Sequence, residues 1–479
     1  MRYKVPLYYI GVVISFVGAA QLLTALVGWF YNEKSVVLIL ATGLLTLLVG
    51  LLPRLMKPFD KTMNERSAIL TVAGAWLLAP LFGALPFVSY GGAFSPINAV
   101  FESVSGFTTT GSSILTDIEI LPKWLLFWRA LISWMGGIGI IGFMLALYPI
   151  FGRVSHELLK RESSNLAGNF MPRARDVARM LGSIYVALTV LLTIILIVIS
   201  VPVFDAITTA FTTISTCGFS VRNASIAHYS SVAVEITIMF FMLVSAINFA
   251  YLYGLLFPQR VRKGGADTAR YFIIFLVLFS GIAVYAIHGV NYSSWSEALR
   301  YGSFQVISCA TTTGFATADS AIWASGAQLM IMLVSLVGGC VGSTAGGMKF
   351  DRLVLFYKAI VSKLKHMVHP QAVIISRHEG QPVSDGMVQD AVLFLSVYIA
   401  TVGLATIILT VIGLPLMESF SGAVATMGGV GPGMGTVGSM GNYSSIPSGA
   451  KLVFIFTMLL GRMEIYAFVL LATRNFWRK

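Results

Sequence analysis

The chain has 479 residues, of which 57% are hydrophobic and only 11% are charged, and its mean hydropathy is +0.83. These values exclude an ordinary soluble domain and are typical of a protein that crosses a membrane several times. A formal net charge of +12 would suit a nucleic-acid partner, but the basic residues lie in separated clusters, so we expect no nucleic acid.

The basic clusters predict how the chain is oriented in the membrane. Twenty-five of the 32 Lys and Arg residues lie in six clusters. Successive clusters are separated by an even number of predicted crossings or by a returning hairpin. By the positive-inside rule, every cluster and both chain termini are therefore expected to be cytoplasmic. The clusters are 2–4, 54–66, 153–179, 260–270, 349–377 and 474–479.

The first predicted element is a membrane hairpin within residues 1–60. Its apolar stretches, 5–30 and 36–53, are long enough to cross a bilayer and are joined by a turn at 31–35. Basic residues precede the first stretch, as in a signal peptide. That stretch is too long for a signal core and a second span follows at once, so we expect it to be retained.

Four short runs rich in Thr, Ser and Gly interrupt the apolar sequence that follows. Their central glycines are 107, 96 and 117 residues apart, and this near-equal spacing predicts four copies of one unit. Non-helical backbone occurs at membrane depth only where protein or water covers it. The runs are FTTTGSS (107–113), ISTCGFS (214–220), ATTTGFAT (310–317) and GGVGPG (428–433), centred on Gly111, Gly218, Gly314 and Gly431.

Each copy is predicted to contain a membrane helix, a short re-entrant pore helix, an extended filter strand and a second membrane helix. The predicted units are 61–152, 153–260, 261–376 and 377–479. Their segments are 67–90, 95–107, 108–113 and 123–150; 176–201, 203–215, 216–221 and 231–257; 268–290, 295–311, 312–317 and 327–362; and 387–413, 416–427, 428–434 and 449–473. We therefore expect an all-α membrane protein with ten spans and four pore helices.

The pore helices share an acidic residue near their start. Asp205, Glu297 and Glu418 fit a first helical turn, where a carboxylate favours the positive end of the helix dipole, whereas Glu102 sits later. The opposite ends of the four helices would then point at a cation, as half-helices do in transporters built from repeats.

The filter runs contain no charged residue. Carbonyl oxygens can replace the water around a potassium ion, whereas carboxylates would hold it too tightly for fast exit. Glycine allows the dihedral angles that turn successive carbonyls inward. Threonine hydroxyls in the runs can bond to neighbours or contact the ion. The pattern therefore predicts a ring of oxygens for a potassium ion.

A glycine-rich stretch, SLVGGCVGSTAGGMK (335–349), falls inside the last predicted helix of the third unit. It holds five glycines, each of which costs about 1 kcal/mol relative to Ala inside a helix, so a continuous helix is not expected. One interpretation is close helix packing through small residues. The other is a flexible loop in the membrane, beneath the filter.

Arg462 lies well inside an apolar span, where a charge is expensive and usually faces a pore or a counter-ion. Glu464 is two positions away and does not share its helix face. An ion pair or an extended side chain reaching the cytoplasm are alternatives. We favour a position facing the ion path below the filter, where the charge would repel a passing cation.

Arg129, near the outer start of its helix, is interpreted as structural. It could pair with Glu102 or lie at an interface.

Four motifs make the chain similar to a known family: FESVSGFTTTGSS (101–113), WRALISWMGGIGII (128–141), GGCVGSTAGGMK (338–349) and GRMEIYAFVLL (461–471). It resembles the Trk/Ktr/HKT superfamily of potassium transporters, and most closely the Trk-type pore subunits. The resemblance covers essentially the whole chain, including the N-terminal hairpin that KtrB subunits lack. It implies four helix–pore–helix repeats that imitate a tetrameric channel around a pseudo-fourfold pore, and a homodimer of two chains.

The resemblance also implies which residues act. The filter would be lined by Thr109, Thr110 and Gly111; Thr216, Cys217 and Gly218; Thr312, Thr313 and Gly314; and Gly429, Val430 and Gly431. The last set departs from the others because Gly429 has no hydroxyl. The gate would be the glycine-rich loop at 338–347, with Arg462. The loop glycines are Gly338, Gly339, Gly342, Gly346 and Gly347.

The expected function is potassium uptake across the bacterial inner membrane, and not an enzymatic activity. The resemblance implies a cytosolic TrkA-type regulatory subunit that binds NAD(H), ATP or ADP and moves the loop. The basic segments 153–179 and 349–377 are where we expect it to dock. This chain is expected to bind no cofactor, and its Cys and His residues have no metal-ligand spacing.

Two alternatives belong to other classes. One is a potassium symporter coupled to protons or sodium. The other is a polytopic membrane enzyme or sensor, which would require facing clusters of His, Asp or Glu inside the membrane. The sequence shows no such clusters.

Overall fold

The computed structural model describes residues 4–56, 65–147, 174–257, 265–371, 376–463, 465, 470–471 and 473–477. The described chain is mostly helical, which confirms the all-α prediction. Its one hairpin pairs β1 (Arg377–His378) with β2 (Gln381–Pro382). The basic segment predicted at 153–179 lies mostly outside the described residues, as does Glu464.

The N-terminal hairpin consists of α1 (Lys4–Phe30) and α2 (Val36–Leu51). Small residues lie where the two helices cross: a Cβ added to Gly18 would sit 2.5 Å from Leu47 N. Such residues let helix backbones approach closely in a membrane. This pair covers one side of the first repeat, because α1 also packs on the helices Glu65–Gly83 and Lys123–Leu147.

The first repeat contains α3 (Glu65–Gly83), α4 (Leu85–Tyr90), α5 (Pro96–Phe107) and α6 (Lys123–Leu147). The helix expected over 67–90 is interrupted at one residue, Ala84. The pore helix α5 begins with Pro96, whose fixed φ suits the first helical position.

The second repeat contains α7 (Ala174–Val198), α8 (Val203–Ile214), α9 (Val232–Ala246) and α10 (Phe249–Leu256). The single helix expected over 231–257 is wrong, since α9 and α10 meet at an angle of 103°. The break lies at Asn248, whose Oδ1 accepts hydrogen bonds from the backbone N of Ala250 and Tyr251 and so begins a new helix.

The third repeat contains α11 (Ala266–Ile287), α12 (Trp295–Ala310), α13 (Ser325–Val337) and α14 (Phe350–Val368). Residues 338–349 between α13 and α14 are not helical, so the predicted break in the helix at 327–362 is confirmed.

The fourth repeat contains α15 (Asp385–Ile412), α16 (Leu416–Gly428) and α17 (Ser448–Arg462), followed by α18 (Arg474–Trp477). Within the helix predicted over 449–473, α17 ends at Arg462, and residues 465, 470 and 471 are also helical.

Five described helical segments are long and apolar enough to cross a membrane, or six if the bent pair α9–α10 is one span. The sequence predicts ten spans, and the remaining four are expected at α2, α6, α13 with α14, and α17. The five segments are Lys4–Phe30, Arg66–Tyr90, Arg179–Val198, Ala266–Ile287 and Asp385–Ile412.

Candidate ion-conduction site

Each pore helix ends in a turn with the same backbone geometry in all four repeats. The residue two positions before the central glycine has positive φ, and so does the glycine. This left-handed conformation is rare for a β-branched residue, and three of the four turns place threonine there. Such strain persists only where the surroundings impose it, often at functional sites. The φ values are 54° and 81° at Thr109 and Gly111, 54° and 78° at Thr216 and Gly218, 57° and 80° at Thr312 and Gly314, and 68° and 95° at Gly429 and Gly431.

One hydrogen bond recurs at the same place in every repeat. The backbone N of the residue before the glycine donates to a carbonyl five residues earlier, inside the pore helix. This bond ties the filter strand to the end of its helix. The four bonds are Thr110 N to Ser105 O at 2.8 Å, Cys217 N to Thr212 O at 2.9 Å, Thr313 N to Ser308 O at 2.9 Å, and Val430 N to Ala425 O at 2.8 Å.

The four strands stand side by side in a closed cycle. A Cβ on each central glycine would overlap the carbonyl oxygen of the residue before the glycine in the next repeat, and only glycine leaves room for that oxygen. The pairs are Gly111 with Cys217 O, Gly218 with Thr313 O, Gly314 with Val430 O, and Gly431 with Thr110 O, where the Cβ would lie 2.6 Å away. The last pair joins the fourth repeat to the first, so the cycle closes.

All four central glycines also line one cavity of about 110 Å³. Its wall includes Ser112, Arg129, Arg222 and Tyr443, and none of the described residues that line it is acidic. The cavity opens on the side of the ring that carries the predicted extracellular loops. It therefore forms a vestibule to the ring that is polar without being negatively charged.

A buried ion pair supports the ring from behind. Arg129 Nη2 lies 2.8 Å from Glu102 Oε1, and Arg129 Nη1 donates to Ser220 O at 3.0 Å. Glu102 also accepts from Ser113 Oγ at 2.9 Å and from Ile114 N at 3.0 Å. The predicted pairing of Arg129 with Glu102 is confirmed, and it ties the strand of the first repeat to the loop that follows the strand of the second.

A second ion pair lies at the rim of the vestibule. Arg222 Nε is 2.8 Å from Asp205 Oδ2, and Asp205 is in the first turn of α8 as predicted. Partial burial alone would lower the pKa of Arg222, but the hydrogen bond and charge of Asp205 raise it. Glu297 and Glu418 likewise lie in the first turns of α12 and α16, as expected.

The glycine-rich loop, residues 338–349, lies against the inner end of the ring. Gly346 N donates to Thr312 Oγ1 at 2.8 Å, and a Cβ on Gly346 would overlap Gly428 O. Thr344 Oγ1 donates to Ile214 O, at the end of α8, at 3.0 Å. The loop thus contacts the ends of the pore units of three repeats.

The other side of the loop is held by the break between α9 and α10. Cys340 N donates to Ala246 O at 2.9 Å, at the end of α9, and Phe249 N donates to Gly342 O at 3.0 Å. Between them, Asn248 Nδ2 donates to Val341 O at 2.9 Å. The backbone groups of the loop therefore complete both ends of a broken helix.

Arg462 lies on the same inner side of the ring and is only 4% exposed. Its Nη1 donates to Thr344 O at 2.9 Å and its Nη2 donates to Gly136 O in α6 at 3.1 Å. The side chain therefore bridges the loop to the first repeat through neutral carbonyls. Of the two predicted arginines, Arg129 has a carboxylate partner, whereas Arg462 points its charge at the loop.

The structure brings the twelve predicted filter residues into one ring and places the five loop glycines and Arg462 beneath it. Sequence reasoning missed Asn248 and Tyr443. Asn248 has a local signal, since Asn is a preferred helix N-cap, but it sits inside an apolar stretch that reads as one span. Tyr443 has no local signal; its contacts become visible only in the fold.

Comparisons with known proteins agree with this geometry. The family model TrkH, described as a cation transport protein, matches residues 37–278 and 269–479. The Trk system potassium uptake protein TrkH of Halomonas elongata is 34% identical over 423 residues, which are 88% of this chain and 87% of that protein. The protein of the same name from Escherichia coli K12 is 32% identical and is covered, like this chain, over its whole length. A crystal structure of the potassium transporter TrkH from Vibrio parahaemolyticus superimposes with a TM-score of 0.89 at 30% identity, over the whole of both chains.

Proposed function

Because this chain belongs to the TrkH family of cation transport proteins, we propose that it carries potassium ions into the cell through the ring of the four filter strands. The family is one of transporters and not of enzymes. The observation that carries the proposal is the closed cycle in which each central glycine faces a carbonyl oxygen of the next repeat.

The proposed potassium ligands are oxygen atoms of the ring. Twelve residues form it, without a charged side chain, so an ion would be held by dipoles and could leave quickly. Buried hydroxyls border the inner end of three strands, while Gly429 leaves the fourth without one. The twelve are Thr109, Thr110, Gly111, Thr216, Cys217, Gly218, Thr312, Thr313, Gly314, Gly429, Val430 and Gly431.

The proposed gate is the glycine-rich loop together with Arg462. The loop covers the inner end of the ring, and Arg462 places a positive charge there that would repel a cation. A path for ions requires that the loop move away from Thr312 and Gly428. The five loop glycines would supply the backbone freedom for that movement.

The proposed setting is the bacterial inner membrane, with two chains per complex and a cytosolic TrkA-type subunit that binds NAD(H), ATP or ADP. Support for a cytosolic partner comes from α14, which follows the loop directly and exposes Lys363 and Lys365. A partner that shifts α14 would pull on the loop.

Uncoupled conduction is favoured over symport by one observation. None of the described residues that line the vestibule is acidic, and the rim carboxylate of Asp205 is paired with Arg222, so the vestibule wall itself offers a proton or sodium ion no carboxylate. Flux in liposomes with sodium absent and no pH gradient separates the two: a symporter would stop, and an uncoupled path would continue.

The filter is tested by Gly314→Ser in purified protein in liposomes. A Cβ at Gly314 would overlap Val430 O and distort the ring, so potassium preference over sodium should fall by about tenfold or more, equivalent to about 1.4 kcal/mol. The measurement is rubidium uptake in competition with potassium and sodium. Gly289→Ser is the matched control, because Gly289 has a similar φ of 76° but no atom within 4 Å. Equal selectivity in both variants would argue against a filter at Gly314.

A further inference from the structure

The carbonyl oxygen of Gly431 is already occupied by two hydrogen bonds. Ser112 Oγ, from the first repeat, donates to it at 3.0 Å, and Tyr443 Oη, from the fourth, donates to it at 3.0 Å. A carbonyl oxygen has two lone pairs, so two fixed donors use its full normal capacity.

The other three central glycines differ from Gly431 in the hydrogen bonding of their carbonyl oxygens. Within the described residues, the carbonyl oxygens of Gly111, Gly218 and Gly314 accept no hydrogen bond. In those three strands, hydrogen bonds from neighbouring groups reach carbonyl oxygens one or two residues after the central glycine instead. They are Tyr443 N to Ser113 O at 2.8 Å, Arg129 Nη1 to Ser220 O at 3.0 Å, and Ser308 Oγ to Phe315 O at 2.7 Å.

The backbone conformation at Gly431 also differs from that of the other three central glycines. The φ angle of Gly431 is 95°, whereas the other three central glycines lie between 78° and 81°. Pro432 follows Gly431, at a position held by Ser112, Phe219 and Phe315 in the other repeats. The strand is therefore asymmetric at its outer end, where an ion from the vestibule arrives first.

Tyr443 is held rigidly in place. It is 2% exposed, and its ring lies 5.3 Å from the rings of Phe101 and Phe454, centre to centre. Its backbone N is also bound, to Ser113 O. The hydroxyl cannot swing away from Gly431 without displacing these neighbours.

We propose that Tyr443 and Ser112 withdraw the carbonyl of Gly431 from the ion, so that the outermost position of the filter offers three protein oxygens instead of four. An ion there keeps part of its water. Where the number of carbonyl dipoles around the ion sets the selectivity for potassium, a position with three of them discriminates weakly against sodium. Tyr443 is thus a specificity-determining residue for the proposed function, on which this inference rests.

The test is Tyr443→Phe, which removes one donor and keeps the ring. The freed lone pair can face the ion, so the potassium-to-sodium ratio, measured as competition against rubidium uptake in liposomes, should rise by about two- to tenfold, the range of one neutral hydrogen bond. Tyr398→Phe is the matched control: Tyr398 is also buried in the fourth repeat, but its hydroxyl has no hydrogen-bond partner among the described residues. Its ratio should equal that of the wild type.

Ser112→Ala removes the other hydrogen bond to the same carbonyl oxygen. The double variant should have a higher potassium-to-sodium ratio than either single variant. An unchanged or lower ratio in Tyr443→Phe overturns the inference, because the hydroxyl would then only brace the strand. If Tyr443→Phe does not fold, the same decision rests on Ser112→Ala. Absence of potassium-competed flux in the folded wild type would overturn the proposed function, and this inference with it.

Discussion

Arg462 is held by the carbonyl oxygens of Thr344 and Gly136, which compensate its charge only in part. A buried guanidinium in a membrane is costly, and its retention there is typical of a residue on an ion path. The two hydrogen bonds also tie the loop to the first repeat. In the proposed gate, the residue would combine two barriers, a positive charge and a mechanical link.

Replacing Arg462 separates these barriers. Arg462→Gln removes the charge but keeps a donor, whereas Arg462→Ala removes both. Rubidium flux should rise in the order wild type, Arg462→Gln, Arg462→Ala, with about a tenfold increase for each 1.4 kcal/mol of barrier removed. Flux is measured in liposomes on protein with an unchanged melting profile. Equal or lower flux in folded Arg462→Ala would contradict the barrier role.

At the scale of single residues, the sequence predicts those site residues whose types recur in several repeats. The charge-free Thr and Gly runs point to a ring because the same residue types recur at similar intervals. The pairing of Arg129 with Glu102 was also predicted, since a buried charge requires a partner. The contact of Tyr443 with Gly431 was not, because nothing in the residues around Tyr443 indicates where its hydroxyl ends.

Among the elements, the pair α9–α10 and the glycine-rich loop form one hydrogen-bonded unit. The loop supplies donors to the end of α9 and an acceptor to the start of α10. Asn248 lies at the centre and acts twice, as the cap of α10 and as a donor to Val341 O. Movement of the loop would therefore uncover both helix ends at the break.

Two substitutions at Asn248 distinguish its two contacts. Asn248→Asp keeps an oxygen that caps α10 but loses the donor to Val341 O, so flux should rise while stability is retained. Asn248→Ala loses both, so flux should rise and the free energy of unfolding should fall by about 0.5–2 kcal/mol, as for other lost caps. Flux and thermal unfolding are measured on the same preparations. If Asn248→Asp conducts like the wild type, its bond to Val341 does not restrain the loop.

Element boundaries were predictable where composition changes sharply. The pore helices begin and end within about two residues of the prediction, because Pro, acidic residues and glycine mark their ends. The break in the third repeat was visible from its glycines. The break at Asn248 was missed because the surrounding residues are apolar, so hydropathy alone predicts one continuous helix.

On the scale of the whole molecule, the ring separates the face that carries the vestibule from a face that carries basic residues. The vestibule face carries the loops around residues 115–120 and 222–231, and the opposite face carries the loop and the basic helix α14. The positive-inside rule predicts that the second face is cytoplasmic.

This orientation is checked with single added cysteines. The three native cysteines are buried, so the wild type should not react with a membrane-impermeant thiol reagent. Lys34→Cys, in the exposed turn of the N-terminal hairpin, should be labelled in spheroplasts. Lys365→Cys, on the exposed part of α14, should be labelled only in inverted vesicles. The reverse pattern would place α14 outside the cell.

The cycle has a further consequence for biosynthesis. Its first and last quarters meet through Ser112 and Gly431, which are 319 residues apart in the chain. At ribosomal speeds of about 5–20 residues per second, the first quarter waits roughly 16–64 s for the last. Until then its unpaired peptide groups would face hydrocarbon, at several kcal/mol each. The nascent chain must therefore keep that quarter wet, or sheltered by the insertion machinery, until translation is almost complete.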